Sequence, residues 1–196
     1  MKFFTQDWFW GNIDRFNKHL GHLRGQPNLE FLEIGSFEGK STVWLLDNIL
    51  THETSNITCI DTFEGGFEHA QMRLDLNNLY NVFLNNVSEY GKKVTPIKKM
   101  SSIGLLEQTV RDKKYDFIYI DGCHESKEVL EDAILSWQLL KEGGIIIFDD
   151  YLWGVHRGET DQTNAPKISI DSFMNCYARY IDILEIDYQV VLRKKT

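Results

Sequence analysis

The stretch FLEIGSFEGKST, residues 31–42, decides the fold, because an apolar β-rich run passes through glycine directly into the start of a helix. A tight turn from strand to helix favours glycine with or without a ligand. A triphosphate-binding loop has four residues between its first glycine and Gly-Lys-Ser or Gly-Lys-Thr, whereas three separate Gly35 from Gly39. The missing backbone amide and the charge of Glu33 both disfavour a triphosphate. We therefore expect a nucleoside without phosphate, with Lys40 solvated in the first turn of the helix.

Short β-rich runs alternate with stretches of helical spacing along the whole chain. The runs are LEFLEIG (29–35), NITCID (56–61), VTPIKK (94–99), YDFIYID (115–121) and GGIIIFDD (143–150). Four of them are apolar on both faces, as strands covered by helices on either side require. The pattern predicts an α/β fold with a mostly parallel sheet.

The predicted sheet ends in an antiparallel hairpin, because residues 181–195 contain two strands joined tightly at about Asp187. A helix is predicted from about Glu125 to Leu140, stopped by Gly143. We find no linker or repeat, so we expect a single domain over residues 1–196, with an N-terminal helical segment at 1–28.

Composition excludes several classes of function. A formal charge of −8 opposes a nucleic-acid partner. Three cysteines without a Cys-x-x-Cys pair are typical of a reducing compartment rather than of a disulfide scaffold. No segment approaches the ~20 apolar residues needed to cross a bilayer. We expect a soluble cytoplasmic protein without membrane contact.

Acidic and small polar residues follow the predicted strands, where doubly wound sheets bind their ligands. Glu33 and Gly35 follow the first strand, and the Glu33 carboxylate is expected to attract a sulfonium or amino group. Asp61, at the tip of the second strand, is placed to accept both hydroxyls of a ribose. The glycine loop alone is also explained by a tight turn that binds nothing, and Asp61 alone is also explained as the cap of a turn. Together, in order and on consecutive strands, they favour a nucleoside site.

Three further carboxylates, Asp121, Asp149 and Asp150, follow the fourth and fifth predicted strands. Carboxylates crowded together repel one another unless a cation neutralises them. Oxygen ligands without thiolate favour Mg²⁺ or Mn²⁺, which lowers the pKa of an acceptor hydroxyl. The alternative is that Asp149 and Asp150 close a strand and cap the next segment.

The chain resembles the small class I S-adenosylmethionine-dependent methyltransferases that include the macrocin O-methyltransferase-like group. The resemblance covers about residues 29–195 and rests on FLEIGSFEGKST, IDTFEGGFEH, YDFIYIDGCHESKEVLEDAILSWQLLKEGGIIIFDDY, PKISIDSF and YQVVLRKK. It implies a Rossmann-like three-layer sandwich with a seven-stranded sheet of order 3-2-1-4-5-7-6 and S-adenosylmethionine as cofactor. One departure is Phe37, where the common Gly-x-Gly-x-Gly form has its middle glycine.

The resemblance also implies cofactor contacts. The loop residues match those around the methionine part, Asp61 matches the ribose acid, and the remaining residues border the adenine or the reacting centre. The implied set is Glu33, Gly35, Ser36, Gly39, Asp61, Thr62, Phe63, Ser101 and Asp121.

The three later carboxylates are similar to the metal ligands of catechol-type O-methyltransferases, which makes Asp121 catalytic through the metal. His124 stands where those enzymes carry a lysine base, and its ordinary pKa of about 6.5 suits proton removal. A histidine at a helix start also simply hydrogen-bonds a neighbour, so both readings stay open. The macrocin-like group often has an aspartate at the position of Cys123, and this departure bears on the base and on the metal.

Two segments are candidates for covering the cleft. Residues 151–167 are polar and aromatic, which is typical of a substrate loop, and Tyr151, Trp153, His156 and Arg157 are its candidate acceptor contacts; a loop that only covers the surface is the alternative. The N-terminal segment with Trp8 covers the same cleft or contacts a second subunit of a homo-oligomer, and His69 is a candidate to close over the cofactor.

The resulting hypothesis is metal-assisted O-methylation of a small hydroxylated acceptor such as a sugar or phenol. A nicotinamide-dependent oxidoreductase is an alternative, although it predicts Gly-x-Gly-x-x-Gly, which residues 35–40 lack. A nucleoside-binding protein without turnover is a third.

Overall fold

One mixed sheet organises the chain. The computed structural model describes residues 2–66, 69, 72, 74 and 76–196. The strands of the sheet are β1 (Glu30–Ile34), β2 (Asn56–Asp61), β3 (Val94–Lys98), β4 (Tyr115–Ile120), β5 (Leu140–Phe148), β6 (Ile181–Ile186) and β7 (Val190–Lys194). Their order is 3-2-1-4-5-7-6, as expected, and only the pairings of β7 with β5 and β6 are antiparallel.

Helices cover both faces of the sheet, which confirms the three-layer α/β fold. Those within the described ranges are, in chain order, α1 (Ile13–Leu20), α2 (Lys40–Asn48), α3 (Leu79–Val87), α4 (Ser101–Val110), α5 (Ser126–Leu139), α6 (Trp153–Arg157) and α7 (Lys167–Tyr177). Alternate residues of β4 point to opposite layers: Phe117 and Tyr119 pack with α1, α2 and α3, whereas Ile118 and Ile120 pack with α4, α5 and α7. Burial on both faces explains why these strands are apolar at nearly every position.

The start of β5 differs from the prediction. Helix α5 ends at Leu139, because Leu140 already has an extended backbone (φ −76°, ψ 129°), and β5 follows without a break. Gly143, expected to stop the helix, lies within β5 at φ +76°. The pairing register with β4 shifts there, from Tyr115 opposite Leu140 to Phe117 opposite Ile145. Gly143 therefore permits an irregularity in the strand rather than a helix end.

The sheet brings the carboxyl ends of β1, β2, β4 and β5 to one edge. The backbone amide of Asp121 donates to Ile34 O at 2.8 Å, and that of Asp149 donates to Ile120 O at 2.9 Å. These bonds extend the parallel pairing beyond the strands, so the residues after each strand stay side by side. Among the described residues, no helix has the length and apolar character needed to span a bilayer.

Candidate active site

The glycine loop between β1 and α2 passes very close to the end of β4. Gly35 has φ +80°, and a Cβ atom built on it would lie 2.0 Å from the carbonyl oxygen of Asp121. Gly39 has φ +83°, and its Cβ would lie 2.9 Å from the Phe83 ring. Both positions therefore require glycine for backbone conformation and for space. Phe37 adopts a positive φ of 47° where the related loops carry glycine.

Glu33 lies beneath this loop and is completely buried. Its carboxylate accepts hydrogen bonds from Ser36 Oγ at 2.7 Å, from Ser41 Oγ at 2.5 Å and from the Thr42 hydroxyl. Burial raises the pKa of Glu33, and the three hydroxyl donors oppose that shift. Glu33 lies at the edge of the sheet where the sequence predicts a cofactor, and its oxygens face the loop and the start of α2. Its geometry is that of a residue that fixes the loop.

Asp61 connects the tips of β1 and β2. Its Oδ2 accepts hydrogen bonds from the backbone amides of Ser36 and Phe37, both at 2.8 Å, and its Oδ1 accepts one from Phe63 N at 2.6 Å. A carboxylate has about four acceptor positions, so three bonds leave roughly one for a ligand. Asp61 therefore retains about one acceptor position, whereas the sequence prediction assigns it both hydroxyls of a ribose.

The remaining predicted cofactor residues do not all face the cleft. The hydroxyl of Thr62 accepts a hydrogen bond from Glu64 N at 3.3 Å. The Phe63 ring is buried against Tyr80 and Phe83, with centroids at 4.8 and 5.0 Å, so that only its backbone is free to border a cofactor. Ser101 begins α4, and its side chain hydrogen-bonds Asp132 of α5.

The acidic residues after β4 and β5 form a cluster, but with a different membership from the one expected. Among the described residues, Asp121, His124 and Asp150 each offer a ligand atom within 4.8 Å of the others. His124 Nε2 lies 2.9 Å from Asp150 Oδ2, and Tyr188 OH donates to Asp150 Oδ1 at 2.8 Å. The two carboxylates suit a hard divalent cation such as Mg²⁺ or Mn²⁺, and the imidazole lies beside them.

Asp149, predicted as the third metal ligand, is not brought into this group. It is buried, and its Oδ2 accepts from Asn12 Nδ2 and Gln189 Nε2, both at 2.8 Å, and from Tyr119 OH. Its Oδ1 accepts from the backbone amide of Asp150 at 2.7 Å. Asp149 therefore faces the protein interior.

The electrostatics of the cluster favour an added positive charge. Burial, followed by the negative charges of Asp149 and Asp150, raises the pKa of Asp121 well above its ordinary value. Burial and the charge of Asp150 raise the pKa of Asp149 to about 6. Carboxylates that resist ionisation because of each other are stabilised by a bound cation.

The predicted substrate loop is partly helical, since it contains α6. His124 packs against Trp153 with centroids 4.7 Å apart, and Arg157 lies over the same indole at 4.6 Å. His156 packs against Tyr188 at 5.4 Å. Tyr151 is buried, and its hydroxyl donates to Asp171 Oδ1 at 2.8 Å, so Tyr151 faces α7 instead of the cleft.

The N-terminal segment lies across the glycine loop. Thr5 donates to Glu38 through its backbone amide at 2.6 Å and through its hydroxyl at 2.8 Å. Trp8 contacts Phe37 and His69, with centroids at 5.1 and 5.5 Å, and the rings of Phe37 and His69 are stacked. The loop is thus covered by residues of its own chain. Lys40, expected to be solvated, forms an ion pair with Asp7 at 2.6 Å.

Three residues that contact the acidic residues after β4 and β5 were not predicted from the sequence. Tyr119 was detectable, because it precedes Asp121 by two positions on a strand and must share its face. Asn12 and Gln189 carried no such signal, since their contacts with Asp149 span 137 and 40 residues.

Comparison with known proteins adds independent findings. A family model described as a methyltransferase domain matches residues 32–151, more than half of the 196 residues. An uncharacterized protein of Acanthamoeba polyphaga mimivirus is 25% identical over 138 residues, which cover 68% of this chain and 57% of the relative. The match thus spans less than two thirds of the length of that relative.

Solved structures share the fold. The O-methyltransferase from Bacillus cereus in complex with S-adenosylhomocysteine (SAH) aligns with a TM-score of 0.60 at 18% identity, covering 84% of this chain and 74% of that chain. MycE, a methyltransferase of the mycinamycin biosynthetic pathway in complex with Mg, SAH and mycinamycin VI, aligns with a TM-score of 0.65 at 16% identity, covering 98% of this chain and 51% of that chain. Both have the architecture of class I methyltransferases.

Proposed function

We propose, since this chain belongs to the methyltransferase domain family, that it transfers the methyl group of S-adenosylmethionine to a hydroxyl oxygen of a small acceptor with the help of a divalent cation. The observation that carries the proposal is the group formed by Asp121, His124 and Asp150. It lies beside the glycine loop, because Gly35 touches the backbone of Asp121. Family membership does not favour the nicotinamide-dependent or non-catalytic alternatives.

The cofactor lies, in this proposal, along the tips of β1 and β2. The backbone of Gly35, Ser36 and Gly39 borders the methionine part, where the absence of two side chains permits close approach. Asp61 accepts a ribose hydroxyl at its remaining acceptor position. The backbone of Thr62 and Phe63 and the N-terminus of α4 at Ser101 border the adenine.

Asp121 and Asp150 hold the cation in the proposed reaction. Carboxylate oxygens are the ligands that Mg²⁺ prefers, and MycE, which shares the fold, is in complex with Mg. The cation, when bound, lowers the pKa of the acceptor hydroxyl. Asp149 is left out of the ligand set, since its oxygens already accept hydrogen bonds from four groups.

His124 takes the proton. Asp150 lies 2.9 Å from its Nε2, and Trp153 packs against its ring, so the imidazole is held beside the carboxylates. The acceptor oxygen forms a bond to the methyl carbon while the bond from that carbon to sulfur breaks. The sulfonium becomes the thioether of SAH, and the hydroxyl proton passes to the imidazole. The chain contributes alignment and an imidazole base.

The acceptor is proposed to be a small molecule with neighbouring hydroxyls, bound beside Trp153. MycE, which shares the fold, is in complex with the small molecule mycinamycin VI. The net charge of −8 opposes a nucleic-acid acceptor. A homo-oligomeric state and a cytoplasmic location stay predictions.

Calorimetric titration tests the proposal directly. The protein is titrated with S-adenosylmethionine, NAD and ATP, each with Mg²⁺ and with chelator, and SAH formation is then followed with a panel of catechols and sugars. We expect S-adenosylmethionine to bind most tightly and SAH to accumulate only with Mg²⁺ or Mn²⁺. Tighter binding of ATP or NAD contradicts the cofactor assignment, and turnover that persists in chelator contradicts the metal.

A further inference from the structure

Asp149 is the centre of a buried hydrogen-bond network that the proposed reaction does not use directly. Donors come from the N-terminal segment (Asn12), from β4 (Tyr119), from the β6–β7 turn (Gln189) and from the next residue in the chain (Asp150). Four donors occupy about all the acceptor positions of one carboxylate. Asp149 is thus fully engaged within the protein.

The network extends outward to both carboxylates of the proposed cation site. Tyr119 OH lies within hydrogen-bonding distance of Asp149 and 3.0 Å from Asp121 Oδ2, so that this phenol sits between the two acids. On the other side, the backbone amide of Asp150 bonds Asp149 Oδ1. Asp150 has φ +57°, a conformation that a non-glycine residue adopts only when its surroundings hold it there. A shift of Asp149 therefore displaces both carboxylates.

Asn12 is the most distant member of this network and is itself fixed in place. It ends a short 3-10 turn, Trp10–Asn12, that leads into α1. In α1, Arg15 bonds Glu185 Oε1 and Asp187 Oδ2, both at 2.8 Å, and Gln189 Oε1 at 3.3 Å. The same arginine thereby ties α1 to the β6–β7 hairpin, which carries the second amide donor to Asp149. The two amides approach one carboxylate oxygen from elements that Arg15 clamps together.

We infer that Asn12 is a positioning residue that acts through Asp149 to place Asp121 and Asp150 for cation binding. The inference rests on the proposed function, since it concerns the same cation site. It gives the N-terminal segment a role in the acceptor chemistry besides covering the glycine loop. Residues that orient metal ligands affect metal affinity by about 10- to 100-fold when they are replaced.

Mn²⁺ binding measured by electron paramagnetic resonance tests this inference without any need for an acceptor. Asn12→Ala removes the donor, and Asn12→Asp also places a like charge beside Asp149. Asn17→Ala is the control, because Asn17 is an exposed asparagine of the adjoining helix α1, and its side chain accepts a hydrogen bond from Arg24 at 3.1 Å. S-adenosylmethionine affinity and the unfolding temperature are measured on every variant.

We expect Asn12→Ala to raise the Mn²⁺ dissociation constant about tenfold and Asn12→Asp to raise it further, while S-adenosylmethionine affinity changes less than about twofold. Asn17→Ala should leave both unchanged. If Asn12→Ala does not fold, Gln189→Ala removes the other amide donor and is expected to give the same selective loss.

The possible failures are distinguishable. Unchanged Mn²⁺ affinity in a folded Asn12→Ala protein overturns the positioning role alone. Equal losses of Mn²⁺ and S-adenosylmethionine affinity overturn it as well, because they indicate a general structural effect. A wild-type protein that binds S-adenosylmethionine but no Mn²⁺ overturns the cation site and the inference together, and leaves the cofactor assignment standing.

Discussion

Two regions of the sheet edge treat their carboxylates in opposite ways. The cofactor half comprises the ends of β1 and β2 and the residues after them. Its acids, Glu33 and Asp61, each accept three hydrogen bonds from hydroxyl or backbone N–H donors within 25 positions in the chain. The acceptor half comprises the residues after β4 and β5. There Asp121 and Asp150 lie beside another acid, and their contacts include Tyr119 of β4 and Tyr188 of the β6–β7 turn.

The difference separates two uses of negative charge. In the cofactor half the carboxylates are satisfied by the protein and hold a loop in its shape. In the acceptor half the repulsion between carboxylates is only partly offset, which favours a cation. The carboxylates of the cofactor half are therefore held mainly by protein donors, whereas those of the acceptor half are stabilised most by a bound cation. Replacements in each half should produce different losses.

The largest effect is expected from Asp150→Asn. This change removes one of the two charges proposed to hold the cation. It also removes the carboxylate oxygen that pairs with His124, or replaces it with an amide group. We expect the rate of methyl transfer to fall about 1,000-fold, roughly 4 kcal/mol, with S-adenosylmethionine affinity retained. SAH formation and calorimetry measure the two quantities. Asp182→Asn, at a half-exposed carboxylate of β6 that pairs with Arg193, is the control. Wild-type turnover in the Asp150→Asn protein would argue against the site.

The second prediction concerns the seam between the halves, where Gly35 meets Asp121. Gly35→Ala should cost at least about 3 kcal/mol of unfolding free energy, because its Cβ would lie 2.0 Å from a backbone oxygen. Gly143→Ala is a matched control: its φ is also positive, +76°, but no described atom lies within 4 Å of its Cβ. That change should cost only about 1–2 kcal/mol. Urea unfolding measures both, and equal losses would mean that the seam is not tightly packed.

A third prediction uses a buried acid outside both halves. Asp132 of α5 is 2% exposed, and burial raises its pKa to about 7, although Ser101 donates to it. Because the folded protein binds this proton more tightly, the contribution to stability is present below the ordinary pKa of 3.8 and is lost as pH rises through about 7.

Asp132→Asn should abolish this dependence. Between about pH 4 and pH 7, wild type should lose up to about 1.4 kcal/mol per pH unit relative to the variant, with no further relative change above that window. Urea unfolding at several pH values measures the difference. If the difference in unfolding free energy between wild type and the variant stays constant from about pH 4 to pH 7, Asp132 does not bind a proton in that range.

The fold was predictable because its signals are local. Apolar runs such as YDFIYID pack on both faces, so β4 alone predicts a covered parallel sheet, and the close spacing of residues 181–195 predicts the hairpin. The start of β5 was missed because Gly143 permits an irregular strand as readily as it stops a helix. Glycine signals a backbone conformation and leaves the element open.

The site was predictable by position and less so by role. The rule that ligands lie beyond strand ends located Glu33, Asp61, Asp121 and Asp150. It did not reveal which way a carboxylate points, since that depends on donors such as Asn12, 137 residues from Asp149. The orientation of a side chain depends on tertiary packing. A carboxylate at the end of a strand is able to face either the protein interior or the cleft.

The smallest effect is expected where the sequence suggested a large one. If the charge of Glu33 attracts the sulfonium, Glu33→Gln should weaken S-adenosylmethionine binding by tenfold or more. The structure gives that carboxylate three hydroxyl donors and complete burial, and burial raises its pKa. Glutamine keeps the shape and one acceptor oxygen, and a hydroxyl is able to rotate to accept from its amide.

We therefore expect Glu33→Gln to change cofactor affinity less than about threefold and unfolding free energy by less than about 1 kcal/mol. Glu33→Ala is the contrasting variant, since it leaves three buried hydroxyls without their acceptor and should cost about 3 kcal/mol or more. Calorimetry with S-adenosylmethionine and with neutral SAH separates shape from charge. If Glu33→Gln weakens the binding of S-adenosylmethionine tenfold but not that of SAH, the Glu33 charge attracts the sulfonium directly. The cofactor half would then use negative charge to bind a cationic group, as the acceptor half does.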